Sequence, residues 1–150
     1  MNPTVRIVLD ERSYDVRIAA GLLQSLGEAV AEWTSARQAV VISETNVAPL
    51  HAQVALDSLE KANIDAHLLT FPAGESNKTL TTASMLLDGL FSHDPPIDRK
   101  AVVVAFGGGV TGDLAGFVAA VALRGIRFVQ VPTTLLAAVD SSVGGKTGVD

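Results

Sequence analysis

The sequence predicts an α/β protein, a Rossmann-like parallel sheet flanked by helices and preceded by an N-terminal β-hairpin. Three observations carry this. Short apolar runs alternate with segments of helical periodicity along most of the 150 residues, the pattern of strands joined by right-handed crossovers in a parallel sheet. Residues 101–106, AVVVAF, form a continuous apolar run, as expected of a strand buried on both faces. That run breaks on Gly107, Gly108 and Gly109 and passes into a long stretch of small apolar residues without proline. A strand that turns through glycines into a helix is how such sheets hold a diphosphate, because glycine lets the backbone approach the ligand and the first helical N–H groups face its charge.

Each element follows in order. Residues 4–9 and 14–18 read as short strands around the polar Asp10-Glu11-Arg12-Ser13, hence a hairpin. Residues 21–33 place Leu22, Leu23, Leu26 and Val30 at helical spacing. Residues 38–42 form a strand ending in Ser43-Glu44-Thr45-Asn46, and Pro49 sits near the start of a helix running to about Asn63. Residues 65–71 form the next strand, closed by Pro72, and residues 76–92 a helix with Leu80, Ala83, Leu87, Leu90 and Phe91 on one side. A proline-containing loop, residues 93–99, leads into the glycine-rich unit; residues 126–131 then form a strand and residues 133–139 a helical turn. No repeat, low-complexity tract or linker divides the chain, so residues 1–150 read as one domain.

The glycine spacing is informative without being decisive. Gly107, Gly109 and Gly112 satisfy G-x-G-x-x-G in the strand-to-helix context. The acidic residue that usually ends the next strand is missing, since residues 126–131 run into Pro132, Thr133 and Thr134. A tight turn that merely permits close helix–strand packing also explains the glycines, and Asp113 also suits a helix start through the dipole. Val110 lies inside the turn. Gly144-Gly145-Lys146-Thr147 invites a P-loop reading, but the position that would need the first glycine is Asp140. What remains is an acceptor, Asp140, and a cation, Lys146, on a glycine-bearing loop, a pair suited to an anionic polyhydroxylated ligand or to a solvated ion pair.

Two earlier loops fall where a parallel sheet places its ligand. Glu44, Thr45 and Asn46 offer groups for ribose hydroxyls, and Glu44 can replace the missing acid. Glu75 and Lys78 pair an acid with a base three residues on. Each loop also reads as a helix cap, with Asn46 or Ser76 supplying the oxygen. Their recurrence at successive strand ends favours a shared site. His51, His67 and His93 lie in separate elements with no neighbouring ligand at metal spacing and read as structural or surface residues; Trp33 reads as packing.

Composition narrows the partners. Eleven Lys and Arg against 16 Asp and Glu give a net charge of −5, which argues against a nucleic-acid partner. The absence of cysteine removes disulfides and thiolate chemistry. The start of the chain carries charges early and lacks an apolar leader core, and the longest apolar run, residues 114–123, is about half a membrane span. A cytoplasmic location without membrane partners is expected.

Together, the string from Gly107 to Phe117, Arg124-Gly125, Gln130-Val-Pro-Thr-Thr-Leu-Leu136 and Val139-Asp-Ser-Ser-Val-Gly-Gly-Lys-Thr-Gly148 resemble the 3-dehydroquinate synthase family, in order along the whole chain. The resemblance implies conversion of 3-deoxy-D-arabino-heptulosonate 7-phosphate into 3-dehydroquinate and phosphate in the shikimate pathway, with NAD used transiently and a divalent metal, normally zinc, polarising the oxidised carbon's oxygen. By position it implies NAD contacts from Glu44, Asn46, Glu75, Lys78, Gly108, Gly109, Val110, Asp113, Thr133 and Thr134. It places Asp140 and Lys146 against substrate hydroxyls and phosphate, and Arg124 against phosphate across a homodimer.

The same resemblance implies a departure. The family's metal ligands, a glutamate and two histidines, belong to a helical C-terminal domain absent from this chain, so the expectation is the N-terminal part of a longer enzyme, inactive and without tight zinc binding when isolated. Residues after Phe128 are expected to be poorly ordered or paired with a second copy. Asp150 stands where the family often has asparagine. Another sugar-phosphate cyclase and a non-catalytic nucleotide-binding module remain as alternatives.

Overall fold

In the computed structural model residues 4–150 are described; residues 1–3, where a leader signal would begin, lie outside them. The expected hairpin forms: β1 (Thr4–Ile7) and β2 (Tyr14–Arg17) pair antiparallel, Thr4 opposite Arg17 and Ile7 opposite Tyr14. It is a sheet of its own.

The main sheet contains β3 (Gln38–Glu44), β4 (Asp65–Phe71), β5 (Val102–Gly107) and β6 (Arg127–Pro132), all parallel, in the order β4-β3-β5-β6. The two strands with the most continuous apolar sequence, β3 and β5, take the centre, where both faces are covered. The period of two along each strand sends alternate residues to opposite layers. Val40, Ile42, Val103 and Ala105 pack with Leu86 and Leu90 of α3 (Leu80–Phe91) and with Leu114 and Val118 of α4 (Gly109–Val121). Ala39, Val41, Val102 and Val104 pack with Leu26 and Val30 of α1 (Leu26–Trp33) and with Ala55 and Leu59 of α2 (Ala48–Lys61). From β3 the chain steps outward to β4 through α2 on one face. It then steps the other way to β5 and β6 through α3 and α4 on the opposite face, as right-handed crossovers require.

Helix boundaries depart from the periodicity in ways that have local causes. The segment from Leu22 begins as a 3₁₀ turn, Leu22–Ser25, and becomes α-helical only at Leu26. There Gly27 lets α1 touch α2: its N–H donates to Ser58 Oγ at 3.0 Å, and a Cβ would lie 2.6 Å from the Ser58 carbonyl carbon. The third helix starts at Leu80, not near Ser76, because Glu75–Asn77 forms a separate 3₁₀ turn after Gly74, whose φ is +112°. Its cap is therefore Thr79, which accepts from Thr82 N at 3.2 Å. Trp33 is not core packing. It is half exposed at the end of α1, with the Arg127 guanidinium 5.9 Å from its ring centre.

His67 also differs from the satisfied residue expected. Its ring stacks on His93, centroids 3.8 Å apart, while both its ring nitrogens are buried without a hydrogen-bond partner. His93 Nε2 lies 3.3 Å from Asp65 Oδ2. Burial lowers the pKa of His67, the neighbouring His93 lowers it further and Asp65 opposes both. The folded state therefore resists protonation that the unfolded chain accepts near pH 6.5, so stability is complete above that pH and falls as pH drops through it. Urea midpoints at pH 7.5 and 5.5 should fall further in the native chain than in His67→Leu; an equal fall in both would detach the effect from His67.

Candidate functional site at the switch point of the sheet

The central strands β3 and β5 lie side by side, and the helices that follow them leave on opposite faces, which opens a crevice beyond their C-terminal ends. Register brings the strand ends to one edge: Ser43 faces Phe106, Glu44 faces Phe71, and Gly107 faces Pro132. The three loops expected to share a site do share this edge. Thr45 stitches two of them, its N–H donating to Phe71 O at 3.0 Å and its Oγ1 accepting from Ala73 N at 3.1 Å.

In the first loop the carboxylate of Glu44 does what was expected of Asn46. It accepts the N–H of Asn46 at 2.8 Å and that of Val47 at 3.0 Å, while α2 has no side-chain cap at Val47. Asn46 itself is exposed. Each Glu44 oxygen keeps a further lone pair for a ligand hydroxyl.

The glycine turn is open. α4 begins at Gly109 with Gly108 as its extended, uncapped N-cap residue, so the leading N–H groups of Gly109 and Val110 point outward without a side-chain acceptor. A Cβ on Gly108 would meet Thr134 Cγ2 at 3.6 Å and one on Gly109 Ser141 Oγ at 3.5 Å, both ordinary contacts. Neither residue has a positive φ. The backbone there is one that any residue adopts, so the glycine at 109 serves to preserve room in front of the helix end. Thr111, 1% exposed, carries a buried hydroxyl without a partner.

Lys78 is the electrostatic centre of the crevice. Its Nζ lies 2.7 Å from Glu75 Oε1, 3.7 Å from Asp113 Oδ2 and 3.5 Å from Asp150 Oδ1. The hydrogen bond that its ammonium donates to Glu75 raises its pKa most, with help from the other two carboxylates and against partial desolvation, so Lys78 stays charged. Asp113 lies in the second turn of α4, too far along to complement the dipole as expected. It faces Lys78 instead, and burial raises its pKa against the opposing pull of that cation.

Thr133 and Thr134 close the crevice beside β6. Thr133 N–H donates to Gly107 O at 2.9 Å, and Thr134 Oγ1 caps α5 (Leu135–Val139) by accepting from Ala137 N at 3.1 Å. The segment after Phe128 is well tied rather than loose. Gln130 Nε2 donates to Ser141 O at 3.4 Å, Thr147 sits against Gly116 of α4, Val149 packs on the core, and Asp150 N–H donates to Lys78 O at 2.9 Å. Asp140 and Lys146 are exposed on this segment, with no ion pair between them.

Arg124 is not brought to this edge. It follows α4, whose 13 residues place it about 20 Å from Gly109, at the opposite end of the sheet and with a φ of +70°. Within one chain it cannot join Asp140 and Lys146. Among the described residues no group of three or more His, Cys, Asp or Glu side chains has the arrangement to hold a metal ion, and no helix is long and apolar enough to cross a membrane. Asp150 and Tyr14, whose hydroxyl accepts from Gly144 N at 2.9 Å, join the site with no local signal in the sequence.

Residues 68–150 match the family described as 3-dehydroquinate synthase N-terminal. The chain is 48% identical over 150 residues, all of its length and 40% of the relative's, to a 3-dehydroquinate synthase of a Jannaschia species. It is 46% identical over 147 residues to that of Desulforamulus reducens, covering 98% of this chain and 40% of the relative. Its length is thus about 40% of that of the curated relatives it matches. Among solved structures it is similar to 2-deoxy-scyllo-inosose synthase complexed with carbaglucose-6-phosphate, NAD+ and Co2+. That match has a TM-score of 0.89 at 31% identity, over 99% of this chain and 39% of the other. By fold, by the order of its loops and by sequence, the chain belongs to the 3-dehydroquinate synthase N-terminal family.

Proposed function

We propose that residues 1–150 are the NAD-binding, N-terminal α/β domain of a 3-dehydroquinate synthase, which converts 3-deoxy-D-arabino-heptulosonate 7-phosphate into 3-dehydroquinate and phosphate as a cytoplasmic homodimer. One observation carries this reading: the uncapped N-terminus of α4 opens at the switch point, beside the Lys78 cluster, in a chain 48% identical to a named synthase along its whole length. The residues fit the cofactor, since room for a diphosphate lies in front of Gly108 and Gly109 and the N–H groups there have no other side-chain acceptor. NAD, when bound, supplies a hydride acceptor for transient oxidation of the substrate.

The chain's own groups divide the work. The N–H groups of Gly109 and Val110 face the diphosphate, with Gly108 giving the close approach. Glu44, Asn46, Glu75 and Asp113 accept ribose hydroxyls, Lys78 holds the acids in place, and Thr133 and Thr134 wall the crevice. Asp140 orients substrate hydroxyls and Lys146 attracts phosphate. Arg124 contributes only from a second copy, because its own crevice lies a helix length away. The described residues do not fit a metal site, so a divalent ion would need ligands beyond residue 150.

The test is product analysis with full-length protein, supplied with NAD and a divalent metal. Phosphate and 3-dehydroquinate should form from the heptulosonate phosphate. A different cyclised product from another sugar phosphate would assign a related cyclase, and NAD binding without turnover would favour a non-catalytic module.

A further inference from the structure

The hairpin of β1 and β2 lies outside the main sheet and most of its residues are exposed. Among the described residues, one of its hydrogen bonds to the rest of the chain is a surface ion pair, Arg17 Nη2 to Glu32 Oε2 at 2.8 Å. The other is of a different kind. Tyr14 Oη accepts the backbone N–H of Gly144 at 2.9 Å, across 130 residues of sequence. Gly144 lies between Asp140 and Lys146, two residues before the lysine, at a φ of +111° that an L side chain rarely adopts, with nothing within 4 Å of where a Cβ would stand. A turn with that backbone and no packing around it needs an external partner to select one conformation.

We propose that Tyr14 is a positioning residue for the reaction: its hydroxyl fixes the Gly144 turn and so sets where Asp140 and Lys146 face the substrate. The inference rests on the proposed role of that loop. Its other anchors bracket the turn without reaching it. Gln130 holds Ser141 O at 3.4 Å on one side, and Thr147 against Gly116 with Asp150 N–H on Lys78 O at 2.9 Å hold the other. Ser142 is tied back to α5, its N–H donating to Ala137 O at 2.9 Å and its Oγ to Ala138 O at 3.2 Å, and Val143 N–H donates to Asp140 O at 3.0 Å. Among the described residues, 144–146 are left with the Tyr14 hydroxyl as their hydrogen-bond partner. The hairpin thereby has a task at the site despite lying off the main sheet.

Tyr14→Phe removes the acceptor and keeps the ring. In the full-length protein, hydrogen exchange in peptides spanning residues 141–148 should speed up, and kcat/KM for the heptulosonate phosphate should fall about three- to tenfold, as expected for one lost hydrogen bond. The loss should lie mainly in KM, while the dissociation constant for NAD and the melting temperature stay at their native values. Unchanged kcat/KM with faster exchange would overturn the proposal, because the contact would then hold the loop without serving the site. Equal losses in NAD affinity, melting temperature and kcat/KM would also overturn it, by making the residue merely structural. Lys146→Met separates the two levels: native turnover in that variant would remove the loop from the substrate site, whereas the exchange of residues 141–148 in Tyr14→Phe still tests the anchor itself.

Discussion

Replacing Gly109 by valine is expected to lower NAD affinity in the full-length protein at least tenfold, about 1.4 kcal/mol, while the fold is kept. The position has a non-positive φ, and a Cβ there makes an ordinary 3.5 Å contact with Ser141 Oγ. The branched side chain therefore displaces little protein, and what it fills is the space in front of the uncapped α4 N-terminus. It should keep a diphosphate from the N–H groups of Gly109 and Val110. Calorimetric titration reads the change directly. Native affinity in a folded variant would remove this turn from the cofactor site.

Phe71→Ala should cost about 3–5 kcal/mol of stability, a large share of the 5–15 kcal/mol typical of a domain. Phe71 is 1% exposed at the end of β4 and belongs to the core layer between the sheet and the helices α3 and α4. Its carbonyl also receives the Thr45 N–H at 3.0 Å, so the cavity would open directly beneath the loops of the crevice. Guanidinium unfolding of the 150-residue chain measures the loss. A change below about 1 kcal/mol would show that the surrounding side chains collapse into the space, contrary to close packing of this layer.

The strands and the glycine turn were legible because they are written locally. A buried central strand needs an unbroken apolar run, which residues 101–106 supply, and a parallel sheet needs the strand–helix alternation that the whole chain shows. The acids and lysine of the second loop, Glu75 and Lys78, sit three residues apart and pair as spacing suggests. Cap chemistry was less legible. Several oxygens compete for the same N–H groups within a few residues, so Glu44 displaced Asn46 and Thr79 displaced Ser76.

By itself the sequence determined the fold class, the order of its strands along the chain, the glycine turn and the family resemblance carried by the string from Asp140 to Gly148. Only the tertiary structure decided which distant residues meet. The orientation of the strand pleat turned His67 inward onto His93, with two unpartnered nitrogens. The length of α4 carried Arg124 to the far edge, and the path of the last segment over Gly116 delivered Asp150 to Lys78 and Gly144 to Tyr14. Contacts of this kind depend on chain path and register over tens of residues, and no local pattern encodes them, because spacing fixes the face of an element but not the partner that the fold sets against it.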